Sequence, residues 1–194
     1  MTPHRPARIA AATAILALLP AFASSETRQC TGTRITVSAD EAAHTELACE
    51  AAAQAAPLFA ACGVPDIPEP LRIDILDTLQ PGCLGLYHCN EPLIEMLAPP
   101  ALQTQREPEG VLSYLGADAH FQSIIVHELA HAATDPLPCT YEQCVSALEY
   151  IAYVMQVKSL DDAALAVFEE DLRMDELMAR DTLNPLILYM APTV

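Results

Sequence analysis

The sequence predicts an α+β fold, and three observations favour that class. Segments that alternate apolar and polar residues, which is typical of half-buried strands, lie in the first half of the chain. Apart from one alanine-rich helix near the start, the helical segments lie in the second half. The 194 residues, less a leader of 25, suffice for one domain with a hydrophobic core. We therefore expect a single domain over residues 26–194, with a small twisted sheet packed on helices.

The first 25 residues have the three parts of a secretory signal peptide. Arg5 and Arg8 supply a basic start, residues 9–19 form an apolar stretch, and Ala21 and Ala23 fit a cleavage site. The apolar stretch is too short to span a bilayer. The sequence therefore predicts an exported protein, periplasmic or secreted, that has no membrane attachment once the leader is removed.

The strands and the first helix are predicted from alternation, from β-branched residues and from a capping residue. In chain order they are a strand at 34–38, a helix from the N-cap Asp40 to about 62, a strand at 71–76, and two short strands at 83–89 and 92–97 that meet at a turn. A proline-rich loop separates the helix from the second strand.

Helices are predicted for most of the second half, after a proline-rich connection at 99–116. They are expected at 118–134, at 141–157 and at 160–180, and an apolar tail at 184–190 is expected to dock on the core. The first of them ends at Asp135 and Pro136, because the residue before a proline disfavours helical geometry.

The charge balance is strongly acidic, since 26 acidic residues stand against nine basic ones and the formal net charge is −17. Such a surface repels nucleic acid and anionic lipid, so neither is an expected partner. The sequence also contains no serine-hydrolase, P-loop or dinucleotide-binding motif.

Seven cysteines in an exported chain predict disulfides, and the odd number leaves one thiol either unpaired or paired with another molecule. Two expected pairs flank short segments. A third pair, Cys30 with Cys62, is expected because the strand after Cys30 and the returning helix that ends at Cys62 match in length, about nine strand residues against roughly twenty helical ones. This pairing leaves Cys49 buried and unpaired in the middle of the helix. The expected pairs are Cys139–Cys144, Cys83–Cys89 and Cys30–Cys62.

The segment SIIVHELAHAAT, residues 123–134, places two histidines and a glutamate in an otherwise apolar helix. His127 and His131 are four residues apart, so their imidazoles project from one helix face, one turn apart. Two imidazoles in that geometry can share a tetrahedral zinc ion. Glu128 lies beside them and can take a proton from water at the open metal position without being a ligand. The alternative is a helix whose histidines lie four apart by chance.

A catalytic zinc ion needs a third protein ligand. Glu149 is the only charged residue within residues 145–157, and a lone carboxylate in an apolar helix is costly unless a cation meets it. We therefore expect Glu149 to be the third ligand, and the alternative is a surface glutamate on a half-exposed helix. Asp135 and Glu142 are weaker candidates, and His120 follows them.

The developing oxyanion of a hydrolysis needs a hydrogen-bond donor close by. Tyr153 lies four residues after Glu149, on the same helix face, and is the expected donor. Tyr150, Tyr87 and His88 are the alternatives. Each of these side chains is also explained as a packing or surface residue.

HELAH, followed after a short loop by the helical glutamate in LEYIAY, resembles the zincin metallopeptidases, and among them the gluzincins. The resemblance covers residues 120–156. It implies a minimal zincin-like domain, in which an active-site helix lies beneath a sheet whose edge strand lines the substrate cleft. It also implies that His127, His131 and Glu149 bind one Zn²⁺ ion. Glu128 is then the general base, a peptide or protein is the substrate, and we expect a monomer.

Two features depart from the gluzincin pattern. Many gluzincins carry an acidic residue four positions after the ligand glutamate, which braces a metal-binding histidine, whereas this sequence has Tyr153 there. The chain is also shorter than most peptidases of the branch, which often add a C-terminal helical subdomain. The alternative function is therefore a catalytically silent zincin-like domain that binds a peptide or protein partner.

Overall fold

The computed structural model describes residues 26–108, 110–139 and 144–171. The predicted signal peptide, the ligand candidate Glu142, the end of the third predicted C-terminal helix and the apolar tail lie outside these residues. The elements are β1 (Glu26–Gln29), β2 (Ile35–Ala39), α1 (Ala42–Cys62), β3 (Leu71–Leu76), β4 (Gly85–Tyr87), β5 (Leu93–Leu97), α2 (Pro99–Gln105), α3 (Ala117–Thr134), α4 (Val145–Lys158) and α5 (Asp162–Asp171).

The fold is α+β, as predicted, and the described residues form one mixed sheet of five strands with five helices. The strand order is β1-β2-β3-β5-β4. The three inner strands run parallel, and the two edge strands run antiparallel to their neighbours. Alternate residues of the inner strands are buried, so one face of the sheet packs on the core. The short edge strand β4 contacts α3.

Helix α3 lies at the centre of the fold, where it packs against α1, α2, α4 and β4. Its side chains Phe121, Ile125 and Leu129 are fully buried. Because neighbours cover nearly every face of the helix, its polar residues His127 and Glu128 are buried as well. Among the described residues, no helix combines the length and the apolar character needed to cross a membrane.

Helix α1 covers the sheet and lies against α3, with alanines such as Ala48 and Ala51 fully buried at the contact. The expected N-cap, Asp40, does not serve as one. The residue before the helix is Glu41, and its side chain makes no capping hydrogen bond. The helix ends where predicted, because Gly63 takes a left-handed conformation (φ 71°) that a side chain would disfavour.

The Cys139–Cys144 disulfide is confirmed, but Cys30 pairs with Cys49 and not with Cys62. The prediction treated the chain from Cys30 as one long strand. Residues 30–34 instead turn between β1 and β2, and the Cys30 N–H donates to the Ile35 carbonyl. The remaining strand rises only about 13 Å, which about nine helical residues match, and α1 has then reached Cys49.

The predicted Cys83–Cys89 disulfide is wrong, and Cys62, Cys83 and Cys89 are free thiols. Cys83 precedes the extended strand β4, and Cys89 follows it. Six residues at about 3.3 Å each place their Cα atoms up to about 20 Å apart, far beyond the span of a disulfide. The two disulfides that form are typical of an oxidising compartment outside the cytoplasm.

Candidate metal centre

The two histidines of the motif face each other on α3. The Nε2 atoms of His127 and His131 are 3.0 Å apart, and the ring centroids are 4.8 Å apart. The helix produces this pairing by itself, since residues four apart stack on one face. Both side chains line a cleft of about 540 Å³ between β4, α3, α4 and the residues that follow α2.

Glu149 completes a group of three potential metal ligands. Helix α4 packs against α3 and directs the carboxylate between the imidazoles, with Oε2 3.5 Å from His127 Nε2 and Oε1 3.6 Å from His131 Nε2. One ligand atom from each residue lies within 4.8 Å of the others. Zinc bonds of about 2.0–2.2 Å in a tetrahedron need donor atoms about 3.3–3.6 Å apart. These three residues could therefore hold a single metal ion.

The weaker ligand candidates that the structure describes do not join this group. Both Tyr87 Oη–H and the Asn90 backbone N–H donate to Asp135 Oδ2, at 3.0 Å each. His120 lies two turns before His127 on α3, near the other end of the cleft. Asp135 therefore ties β4 to the end of α3, and it is not a ligand.

The electrostatics of the group favour a bound cation. Contacts with His127 and then with His131 lower the pKa of Glu149 to about 2, so its carboxylate stays ionised. Burial alone would lower the pKa of His131, but the hydrogen bond with Glu149 and the nearby carboxylates raise it above its ordinary value. A metal ion would take the place of the proton that these side chains attract.

Gln156 orients the buried ligand His127, and the sequence interpretation missed it. Its Oε1 atom lies 3.1 Å from His127 Nδ1, and its Nε2–H donates to Ser123 Oγ at 3.2 Å. Since the amide oxygen only accepts, His127 Nδ1 carries the proton and Nε2 presents its lone pair to the metal position. Gln156 lies seven residues after Glu149 in an apolar helix, and this spacing places both side chains on the same helix face. That pattern could have indicated Gln156 from the sequence.

The buried carboxylate of Glu128 contacts the edge strand β4. Its side chain is 6 % exposed, and its Oε2 accepts the Tyr87 backbone N–H at 2.9 Å. Burial raises the pKa of Glu128 above its ordinary value, although the two histidines and this hydrogen bond lower it. Gly85 leaves room for the carboxylate, because a Cβ atom there would lie 2.8 Å from Glu128 Oε1.

Tyr153, the expected oxyanion donor, also lines the cleft. Its ring stands edge-on to His127, with the centroids 4.5 Å apart. Burial, followed by the charges of Glu149 and Glu128, raises the pKa of Tyr153 to about 12, so its hydroxyl remains protonated.

Of the three alternative donors, two contact carboxylates and the third lies on the exposed surface. Tyr87 donates its hydroxyl to Asp135, and His88 lies 2.8 Å from the Glu95 carboxylate. Tyr150 is 60 % exposed and does not line the cleft. Tyr153 is therefore the best placed of the four for the predicted role.

The sequence model of one family, described as a family of unknown function (DUF6639), matches residues 35–194. The match covers well over half of the chain, and the chain therefore belongs to this family. No curated protein matches the sequence, and no solved structure matches it either.

Proposed function

We propose that the chain, as a member of this family of unknown function, is an exported zinc metallopeptidase that hydrolyses peptide bonds. The observation that carries the proposal is the convergence of His127, His131 and Glu149 in a cleft that also holds Glu128 and Tyr153. Three protein ligands with an open fourth position are the arrangement of a catalytic zinc site, whereas structural zinc sites are closed by four ligands. A peptide or protein is the proposed substrate, and a monomer is the proposed active form.

Zinc held by these ligands would polarise a substrate carbonyl and make a nearby water molecule more acidic. Glu128 is the residue placed to accept the proton of that water. Its raised pKa makes it a stronger base than an exposed glutamate, and the Tyr87 N–H fixes the direction of its carboxylate. Once protonated, the same side chain can deliver the proton to the leaving amine.

Tyr153 is proposed to donate a hydrogen bond to the oxygen that becomes negatively charged. A donor must be protonated at the working pH, and the raised pKa of this tyrosine meets that requirement. Its ring also packs edge-on against the ring of His127.

A catalytically silent domain that binds a peptide or protein is the second candidate function, and one observation favours it. The carboxylate of Glu128 is buried and already accepts a hydrogen bond, so it must become accessible to water before it acts as a base. Such a domain would use the same cleft without cleaving its ligand.

Cleavage by zinc-loaded Glu128→Gln separates the two candidates. With a mixture of peptides as substrate and mass spectrometry as the readout, wild type should cleave, and Glu128→Gln should be slower by about 10²- to 10⁴-fold at equal zinc content. Glu46→Gln is the matched control, because Glu46 lies on the exposed surface of α1. A zinc-loaded wild type that cleaves nothing would overturn the peptidase proposal and favour the silent domain.

A further inference from the structure

Arg106 is the only lysine or arginine among the described residues that line the cleft. It follows α2, and its guanidinium Nη1–H donates to the Leu115 carbonyl at 2.8 Å, just before α3 begins. Within the described ranges, no carboxylate lies within 4.0 Å of it, whereas Arg28, Arg34 and Arg72 each pair with an acidic side chain. The described residues therefore leave the remaining donors of the Arg106 fork to a ligand in the cleft.

His120 lies at the same end of the cleft, and one of its ring nitrogens has no hydrogen-bond partner within the described part of the chain. It is 6 % exposed, and its Nδ1 atom makes no hydrogen bond to the described residues. Burial, and then the positive charge of Arg106, lower its pKa to about 4, so the imidazole is neutral at pH 7. A buried polar atom without a partner is uncommon, and one explanation is a ligand that completes its hydrogen bonding.

The edge strand gives the direction in which a peptide would lie. Gly85 packs against Glu128, and Asn90 contacts Asp135 beyond the end of α3, so β4 runs in the same direction as this helix. Antiparallel strand pairs outnumber parallel ones by two- to threefold. A peptide that pairs antiparallel with β4 would then direct its C-terminus towards the start of α3, where Arg106 and His120 lie.

The spacing along α3 sets the position of that C-terminus. His120 precedes His127 by seven residues, which places it on the same helix face, about 10 Å away along the axis. An extended peptide rises about 3.3 Å per residue. The interval therefore holds about three residues beyond a bond that is cleaved at the metal centre.

We propose that Arg106 and His120 form a subsite for the C-terminal carboxylate of a peptide, which makes peptides with a free C-terminus the substrate class. The assignment of products rests on the proposed peptidase function. In that reaction the peptide C–N bond breaks, the hydroxyl of water joins the carbonyl carbon, and a proton joins the nitrogen. The released product is a peptide of about three residues. An arginine fork suits this role, because it binds a carboxylate through two parallel hydrogen bonds.

Binding to zinc-loaded Glu128→Gln tests the subsite apart from cleavage. The probes are N-acetylated tetrapeptides, each prepared as the free acid and as the C-terminal amide, with affinity measured by calorimetry. The acid should bind roughly 10- to 100-fold more tightly than the amide, which is the usual contribution of a hydrogen bond to a charged group. Adding Arg106→Gln should abolish this preference, and Arg106→Lys should restore part of it. Arg72→Gln is the matched control, because Arg72 already pairs with Asp74.

Equal binding of acid and amide would overturn the subsite. So would a preference that survives Arg106→Gln, since the carboxylate would then be bound elsewhere, for example by the metal. Cleavage of the same peptides by wild type should release about three C-terminal residues from the acids and little from the amides. If wild type cleaves neither form while the preference depends on Arg106, the peptidase function fails and the subsite stands.

Discussion

Replacing Gln156 with leucine should weaken zinc binding without touching a ligand. The substitution keeps the size of a residue that is 4 % exposed but removes the acceptor that lies 3.1 Å from His127 Nδ1. A buried N–H group without a partner costs about 1–3 kcal/mol. The lost acceptor also frees His127 to take the other tautomer, and the loss of such a partner commonly weakens metal binding 10- to 100-fold. The energetic cost and the loss of affinity agree, since a tenfold change in affinity corresponds to about 1.4 kcal/mol.

Competition with a chromophoric zinc chelator at pH 7 measures this effect. Gln156→Glu should retain wild-type affinity or exceed it, because it keeps the acceptor and adds a negative charge. Gln54→Leu controls for the loss of an amide, since Gln54 is exposed on α1. Wild-type affinity in Gln156→Leu would refute the inference that this amide orients His127.

Three further perturbations have defined outcomes. Gly85→Ala should destabilise the fold by about 1–3 kcal/mol in urea denaturation, because its Cβ atom would lie 2.8 Å from Glu128 Oε1; unchanged stability would mean that the strand moves freely. The pKa of His120, lowered to about 4, gives stability that is fully present above pH 6.5 and is lost as the pH falls towards 4. In metal-free protein, His120→Gln should reduce the fall in the free energy of unfolding between pH 6.5 and pH 4 by about 3 kcal/mol. The same pH dependence of stability in the variant and in wild type would contradict this prediction. Peptide mapping without reduction should return Cys30–Cys49, and replacing both cysteines by serine should cost about 3 kcal/mol; a Cys30 peptide linked elsewhere would refute the pairing.

The parts of the site that follow from local geometry could be predicted from the sequence. His127 and His131 needed only the helical period. Glu149 needed one further argument, that an isolated carboxylate in an apolar helix has a charged partner. Gln156 was missed because an uncharged amide in a helix does not require a charged partner. A buried amide still needs hydrogen-bond partners, and this argument could have identified it.

Some of the incorrect predictions required knowledge of tertiary structure, and others missed a local rule. β1 has four polar residues that are all exposed, so it lacks alternation and is a strand only because β2 pairs with it. That hairpin shortens β2 and places Cys30 beside Cys49. The prolines at 99 and 100 suggested a loop, but they occupy the first turn of α2, where a missing N–H costs nothing.

Zinc stoichiometry tests the central claim that His127, His131 and Glu149 form one metal site. Purified protein, stripped with a chelator and reloaded, should contain one zinc ion per chain by mass spectrometry for both wild type and Glu46→Gln. His131→Ala and Glu149→Ala should each lose most of this zinc, because two remaining ligands hold the ion weakly. A wild type that retains no zinc, or a Glu149→Ala variant that retains all of it, would contradict the assignment.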